Sequence, residues 1–153
     1  VEALVEDELV EVAEEPHRRE HSLETHLPFL QVAFGAVEIV PLVTGSDADE
    51  TIAEVIEKFL GVEGTLVSIS SDLSHYLDYE SAREIDDETR RAIEAMEPDR
   101  IADDQACGNS AIRALLRVAK RRGMTVETLQ MCNSGDTAGD RDRVVGYGAW
   151  AVT

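Results

Sequence analysis

The pattern of apolar and polar positions predicts two amphipathic helices early in the chain. In residues 22–34, leucines and a final phenylalanine recur every three or four positions, which places them on one helix face. Pro28 lies inside this segment, so we expect a kink or a late start of the helix near it. A second helix is predicted to begin at Asp47 or Asp49, either of which can cap it, and to end near Leu60.

Two further helices are predicted in the second half of the chain. Residues 79–96 form a highly charged amphipathic segment, and Pro98 ends it. Residues 109–122 have apolar side chains at helical spacing, and Gly123 follows as a helix stop.

Between and after the helices the pattern predicts strands. Residues 37–43 and 64–70 are largely apolar runs, and we expect both to be strands, with residues 37–43 buried. Residues 124–131 and 143–152 flank a loop rich in Gly and Asp, so we expect them to pair as an antiparallel hairpin.

The alternation of helices and strands defines the expected fold class. Strands that alternate with helices indicate an α/β protein with a largely parallel sheet flanked by helices. The final antiparallel pair makes the predicted sheet mixed. Because 153 residues suit one domain of ordinary size, we predict a single α/β domain over residues 1–153.

The charge balance changes the picture of the surface. The chain has 32 acidic residues against 14 basic ones, for a formal net charge of -18, and the acids are spread along it. We interpret this as the solvated surface of a protein from a salt-adapted cell, because molar salt screens the self-repulsion. The same field would repel phosphates, so nucleic acid is not an expected partner.

Composition also indicates a compartment. No apolar run approaches the roughly 20 residues that span a bilayer, and the start of the chain has no signal-peptide pattern, so we expect a cytoplasmic protein without a membrane partner. Cys107 and Cys132 are then expected to be reduced thiols. The chain does not begin with Met, which indicates a processed start or part of a longer chain.

The first candidate site lies around His21 and His26. Five positions separate the two histidines, so they point about 140° apart on a regular helix and would not reach one ion. His21 and Glu24 do share a face, which makes His21 the better ligand candidate. On spacing alone, surface histidines on a polar stretch are slightly favoured.

The second candidate site follows the predicted strand at residues 64–70. Ser71, Asp72 and His75 stand where ligands bind in open α/β sheets, beyond the carboxyl end of a strand. A histidine beside an aspartate suits a general acid or base. A polar loop that caps the next helix explains the same residues equally well.

The third candidate is Cys107, which opens the predicted helix at residues 109–122. Partial positive charge at a helix start favours a thiolate, which is both a nucleophile and a soft metal ligand. A small buried apolar residue is the commoner fate of a lone cysteine, and that is the expected role of Cys132.

Three blocks of this sequence together resemble the Memo family. They are Glu20-His21-Ser22-Leu23-Glu24 with Leu27-Pro28-Phe29, then Ser71-Asp72-Leu73-Ser74-His75-Tyr76, then Cys107-Gly108. Their order and spacing match, and the resemblance covers nearly the whole chain. That family is similar in fold to class III extradiol dioxygenases, which use non-haem iron.

The resemblance implies a metal site made of two histidines and one cysteine. It places His21 and Cys107 as ligands of one iron or copper ion, with His75 beside the metal as an acid/base group. We expect Asp72, beside His75 in the same block, to be the second catalytic residue. Glu24, His26 and Ser71 are expected nearby with less defined roles. Family members have an earlier His-Ala-Gly-Tyr type segment that supplies the first histidine, so the resemblance implies that this chain is the later portion of a Memo-like domain.

Three functions remain open from the sequence. The first is a metal-binding protein of the redox or oxygenase type that acts on an unknown small molecule or peptide, although Cys107 stands where the dioxygenases have a carboxylate. The second is an adaptor that binds a peptide or phosphate in a vestigial active-site pocket. The third is a Cys–His hydrolase in which Cys107 is the nucleophile and His75 the base.

Overall fold

A computed structural model describes residues 1–45, 49–137 and 139–153 and divides the chain into two units, Val1–Ser46 and Asp47–Thr153. The first unit contains helix α1 (Glu2–Glu6), a 3-10 turn (Pro16–Arg19) and helix α2 (Ser22–Phe34). The second unit contains three helices and three strands. Its elements are α3 (Asp49–Phe59), β1 (His75–Leu77), α4 (Tyr79–Glu94), α5 (Asn109–Arg122), β2 (Val126–Asn133) and β3 (Val144–Val152), with 3-10 turns at Pro98–Arg100 and Ser134–Asp136.

Helix α2 begins where its apolar pattern begins, and Pro28 lies inside it. Of the two expected outcomes, a kink or a late start, the late start does not occur. The Glu20 Oε1 atom accepts the backbone N–H groups of His21 and Ser22, both at 2.8 Å, and this cap starts the helix ahead of the proline. Pro28 has no N–H to donate to the carbonyl of Glu24, which costs the helix one bond without ending it.

The first unit buries little of its apolar surface. Helix α2 has no buried residue, and its Phe29 and Val32 side chains are 77% and 90% exposed. Ile39 and Leu42, in the segment that follows, are also largely exposed. A helix of this composition is normally covered on one face by another element.

The three helices of the second unit confirm their predicted positions. Helix α4 begins after Asp78, whose side chain accepts the N–H of Ser81, and α5 ends at Gly123 in the left-handed conformation with φ 68. Helix α3 is described from Asp49 onward, and the alternative cap Asp47 lies outside the described residues.

Helices α3 and α5 pack through small residues. Ala53 and Ile56 of α3 meet Ala114 and Val118 of α5, and all four are buried. The alanines let the helix axes approach closely, and the larger side chains fill the space beside them. A second cluster joins α5 to α4 and the sheet through Ala92, Ile93, Ile101, Leu116, Val126 and Trp150.

The strands form one antiparallel sheet in the order β1-β3-β2. The predicted hairpin is confirmed, because β2 pairs with β3 from Val126↔Val152 to Asn133↔Gly146. Strand β1 lies in a segment predicted to be a loop. It pairs His75 with Val145 and Leu77 with Val144, with an irregularity between them at Tyr76.

The mixed α/β class is confirmed, and the described pairings are all antiparallel. Residues 37–43 and 64–70, predicted as strands, are assigned to no strand in the described structure. A strand exists only where a neighbouring backbone pairs with it, and the described residues offer these two segments no such partner. Among the described helices, none combines the length and apolar character that crossing a bilayer requires.

Candidate functional site

Cys107 lies against the turn at Ser71 and Asp72, just ahead of α5. The backbone N–H of Asp72 donates to Cys107 Sγ at 3.2 Å, and the N–H of Cys107 donates to the carbonyl of Asp72 at 3.2 Å. Ser71 Oγ lies 3.6 Å from the same sulfur. The side chain of Cys107 is nevertheless exposed, so the sulfur is both oriented by the protein and open to a ligand or reagent.

Gly108 is the residue that allows this close approach. A Cβ at position 108 would lie 2.8 Å from Ser71 Cβ and 3.0 Å from the Ser70 carbonyl oxygen. The N–H of Gly108 instead donates to Ser71 Oγ at 2.8 Å. The Cys-Gly pair therefore fits one particular turn, and a side chain at 108 would push that turn away from the sulfur.

Asp72 and His75 face each other across the same turn. Asp72 Oδ2 lies 3.6 Å from His75 Nε2, and both side chains are partly exposed. Between them in sequence, Leu73 and Ser74 are buried and fix the backbone. The structure thus brings together Ser71, Asp72, His75 and Cys107, which the sequence had placed in two separate candidate sites.

Asp86 of α4 holds this turn through a hydrogen bond, and it was not predicted from the sequence. Its carboxylate is 4% exposed, and Oδ1 accepts the backbone N–H of Ser74 at 3.0 Å. Burial raises the pKa of Asp86 above its ordinary value, although the Ser74 N–H lowers it. A Cβ on Gly146 would lie 2.0 Å from Asp86 Oδ2, so the glycine makes room for the acid.

Tyr147 of β3 is the second residue that the sequence did not indicate. It pairs with Cys132 across the β2–β3 ladder. Burial, and then the charge of Asp72, raises the pKa of the Tyr147 phenol.

The candidates of the first unit lie on α2. His21 occupies the position just before the helix, Glu24 lies in its first turn, and His26 follows, all three exposed. The pKa of the neighbouring Glu20 carboxyl is lowered, and the hydrogen bonds from Ser22 are the largest cause. These residues belong to a different unit from Cys107 and His75.

The donor atoms fit part of a metal site. An exposed thiol held by an amide N–H suits a soft ion such as copper or iron. Within the part of the chain that the structure describes, no three His, Cys, Asp or Glu side chains are grouped so that they could hold an ion. Cys107 and Cys132 are both free thiols.

The fold and the site define an α/β protein in which an exposed thiol lies beside a carboxylate–imidazole pair. The family model of Memo-like protein matches residues 1–151. A MEMO1 family protein of Methanosarcina barkeri is 38% identical over 94% of this chain and 59% of its own length. Relatives from Sulfolobus acidocaldarius and Thermotoga maritima, also MEMO1 family proteins, are each 35% identical, over 92% and 86% of this chain.

This chain belongs to the Memo family. It spans between half and three-fifths of the length of the relatives it matches, with 54% of the Sulfolobus protein and 50% of the Thermotoga protein covered. The described structure therefore corresponds to part of what those proteins contain.

Proposed function

We propose that this chain is the later portion of a Memo-like metalloprotein with redox or oxygenase-type activity. In this proposal His21 and Cys107 hold one iron or copper ion together with a histidine from a preceding segment. Asp72 and His75 act beside that ion as the acid/base pair. The observation that supports it best is the meeting of the Cys107 sulfur with Asp72, which in turn faces His75.

The metal, when bound, would supply a centre for electron transfer or for activating a small molecule. Cys107 suits it because a thiolate selects iron or copper over magnesium or calcium. Its hydrogen bond from Asp72 restricts where the sulfur can point, as outer hydrogen bonds do at many metal sites.

Asp72 and His75 would carry out proton transfer to or from the substrate. Asp72 Oδ2 faces Nε2 at 3.6 Å, so in this proposal the carboxylate orients the ring. Nδ1 would then exchange a proton with the substrate. Glu24, His26 and Ser71 would orient the residues beside them, and Ser71 already contacts the sulfur.

The preceding segment would also complete the fold. The exposed Phe29 and Val32, and the unpaired apolar runs at residues 37–43 and 64–70, need cover that the described residues do not provide. We propose that added strands pair with these runs in a largely parallel sheet like that of class III extradiol dioxygenases. The chain would then belong to a single α/β domain of a cytoplasmic protein that acts on a small molecule or peptide.

A Cys–His hydrolase is less well supported. A nucleophile and its base must lie within hydrogen-bond reach of each other. The described contacts of Cys107 Sγ are with Ser71 and Asp72, and those of His75 are with Asp72 and Tyr76. Among the described contacts, the thiol and the imidazole are therefore linked only through Asp72.

The decisive measurement is the metal content of the protein extended to its natural start. The wild type, Cys107→Ser, His75→Ala and the matched control Cys132→Ser would be purified without chelator and analysed by mass spectrometry. We expect near-stoichiometric iron or copper in the wild type, in Cys132→Ser and in His75→Ala, since His75 is not a ligand. Cys107→Ser should lose most of it.

The opposite result would favour the adaptor function. If the extended wild type stays metal-free after anaerobic loading with iron and with copper, the metalloprotein proposal fails. Peptide or phosphate binding that survives chelators would then be the function to test.

A further inference from the structure

Arg143 and Tyr76 lie next to His75 and have no role in the proposed function. The Arg143 guanidinium carbon lies 4.9 Å from the centroid of the Tyr76 ring. That ring lies 5.7 Å from the His75 ring, edge to face at 63°. Through Asp72, His75 connects to Cys107. Arg143 and Tyr76, here called the arginine arm, therefore extend the site by two side chains.

The backbone presents Tyr76 in an unusual way. Its φ is 59, in the left-handed region that costs a non-glycine residue energy. It occupies the irregularity of β1 between His75 and Leu77, where a bulge re-aims a side chain. As a result the ring is 63% exposed although its neighbours in sequence are partly buried.

Within the described part of the chain, Arg143 differs from most arginines of the second unit because no carboxylate lies within ion-pair distance of it. Among the described residues, those within ion-pair distance of a carboxylate are Arg83, Arg90, Arg91, Arg100, Arg113, Arg117, Arg121 and Arg122. Arg143 makes none of these pairs, and its described contact is the Tyr76 ring. In a chain of net charge -18, a guanidinium without a carboxylate beside it has an open place for an anion.

Arg141 provides an internal comparison. It stacks on Tyr79 at 4.3 Å, much as Arg143 stacks on Tyr76. The Tyr79 hydroxyl, however, donates to Asp136 at 2.6 Å, and the charge of Arg141 contributes to lowering the pKa of Asp136 after the hydrogen bonds from Tyr79 and Asn133. Arg141 thus acts on an internal carboxylate, although it lies outside ion-pair distance of it, whereas among the described residues the contact of Arg143 is the Tyr76 ring.

We propose that the arginine arm binds a carboxylate group of the substrate and directs the rest of that molecule towards His75. Stacking on a ring leaves the edge of a guanidinium open, and that edge matches a planar carboxylate with two parallel hydrogen bonds. The local positive charge also offsets the overall negative field, which would otherwise repel an anionic substrate. The inference rests on the proposed function only for the role of His75, since carboxylate binding requires no metal.

The test is a binding titration on metal-free protein at natural length. Binding is measured from the NMR chemical shifts of the Tyr76 amide and the Arg143 side chain. The probes are benzoate, benzamide and inorganic phosphate at one fixed chloride concentration. We expect benzoate to bind about tenfold more tightly than benzamide, the usual size of one charge-assisted contact. Arg143→Gln should abolish that preference, and Arg143→Lys should restore only part of it.

Arg141→Gln is the matched control, because it removes a stacked arginine elsewhere and should leave benzoate binding unchanged. Equal binding of benzoate and benzamide, or an Arg143→Gln protein that binds benzoate like the wild type, would overturn the proposal. Phosphate binding as tight as benzoate binding would overturn the carboxylate assignment. Since these measurements need no metal, their failure is distinct from a failure to find iron or copper.

Discussion

At the scale of one residue, Asp86 has a structural role that the sequence alone does not show. In a highly charged helix an aspartate is ordinary, yet this one lies at 86 among buried positions 82, 89 and 93. Positions with that spacing form the inward face of α4. An acidic residue on this buried face was therefore the sequence signal for Asp86. The partner could not be predicted, because it is a backbone N–H, that of Ser74, which no side-chain pattern indicates.

We predict that Asp86→Asn becomes progressively more stable relative to the wild type as pH rises. The folded-state pKa of Asp86 is raised from its ordinary 3.8 by burial, so this group stabilises the fold fully below that value. The contribution is lost as pH rises through the folded pKa, whereas asparagine keeps the bond from Ser74 at every pH. Urea unfolding between pH 4 and 7 measures the difference.

Asp86→Ala is the informative companion variant. It leaves the buried Ser74 N–H without an acceptor and should cost about 1–3 kcal/mol at pH 4. That cost should shrink as pH rises, because the wild type itself loses stability when Asp86 ionises. Glu84→Gln, on the exposed side of the same helix, should show neither effect. A pH-independent gap between Asp86→Asn and the wild type would contradict the account.

At the scale of elements, the sequence predicted the helices and the hairpin, which depend on local pattern. It did not predict strand β1, which depends on pairing with a distant segment. Helices α3, α4 and α5 agree with their amphipathic pattern and stop signals. The β2–β3 hairpin also follows, because its two runs flank one short loop. Strand β1 was missed because three residues containing His and Tyr show no alternation, and their pairing partner lies some 70 positions later.

The contact between α3 and α5 depends on an ion-pair cluster that helical periodicity does not predict. Asp49 Oδ2 accepts from Arg113 at 3.1 Å and from Arg117 at 2.6 Å, and all three side chains are mostly buried. Burial alone would raise the pKa of Asp49, but the bonds from Arg117 and Arg113 outweigh it and lower that pKa.

We predict that Asp49→Asn destabilises the protein by about 1–2 kcal/mol at neutral pH, since it removes a charge shared by two arginines. A lowered folded-state pKa gives stability that is present above the unfolded pKa and lost as pH falls through the folded one. The gap should therefore close below about pH 4. Denaturation of the variant, the wild type and the exposed-site control Glu54→Gln measures it, and a gap that widens in acid would refute the assignment.

The candidate site belongs to the scale of the whole molecule, which explains why the sequence predicted its residues better than its geometry. Residue types and local turns identified Asp72, His75 and Cys107 separately. Their meeting depends on Gly108 fitting against Ser71, a contact between segments 37 positions apart. Tyr147 lies on the last strand and Arg143 just ahead of it, so no local pattern connects them to the turn at residues 71–75.

Net charge is the other property of the whole molecule, and it predicts stabilisation by salt. With -18 formal charges, like charges repel across the surface at low ionic strength. The Debye length falls from about 10 Å at 0.1 M to about 3 Å at 1 M, which removes most of that repulsion. We expect KCl at 2 M to recover about 1–3 kcal/mol, a rise in Tm of roughly 3–10 °C by calorimetry.

Salt also strengthens apolar burial, so the two causes must be separated. A variant with glutamine at four exposed glutamates, Glu63, Glu84, Glu88 and Glu127, changes the charge and leaves the buried surface as it is. If repulsion is the cause, this variant should be more stable than the wild type in dilute buffer and gain less from KCl. Identical salt slopes for both proteins would mean that burial of the apolar surface, and not the acidic surface, responds to salt.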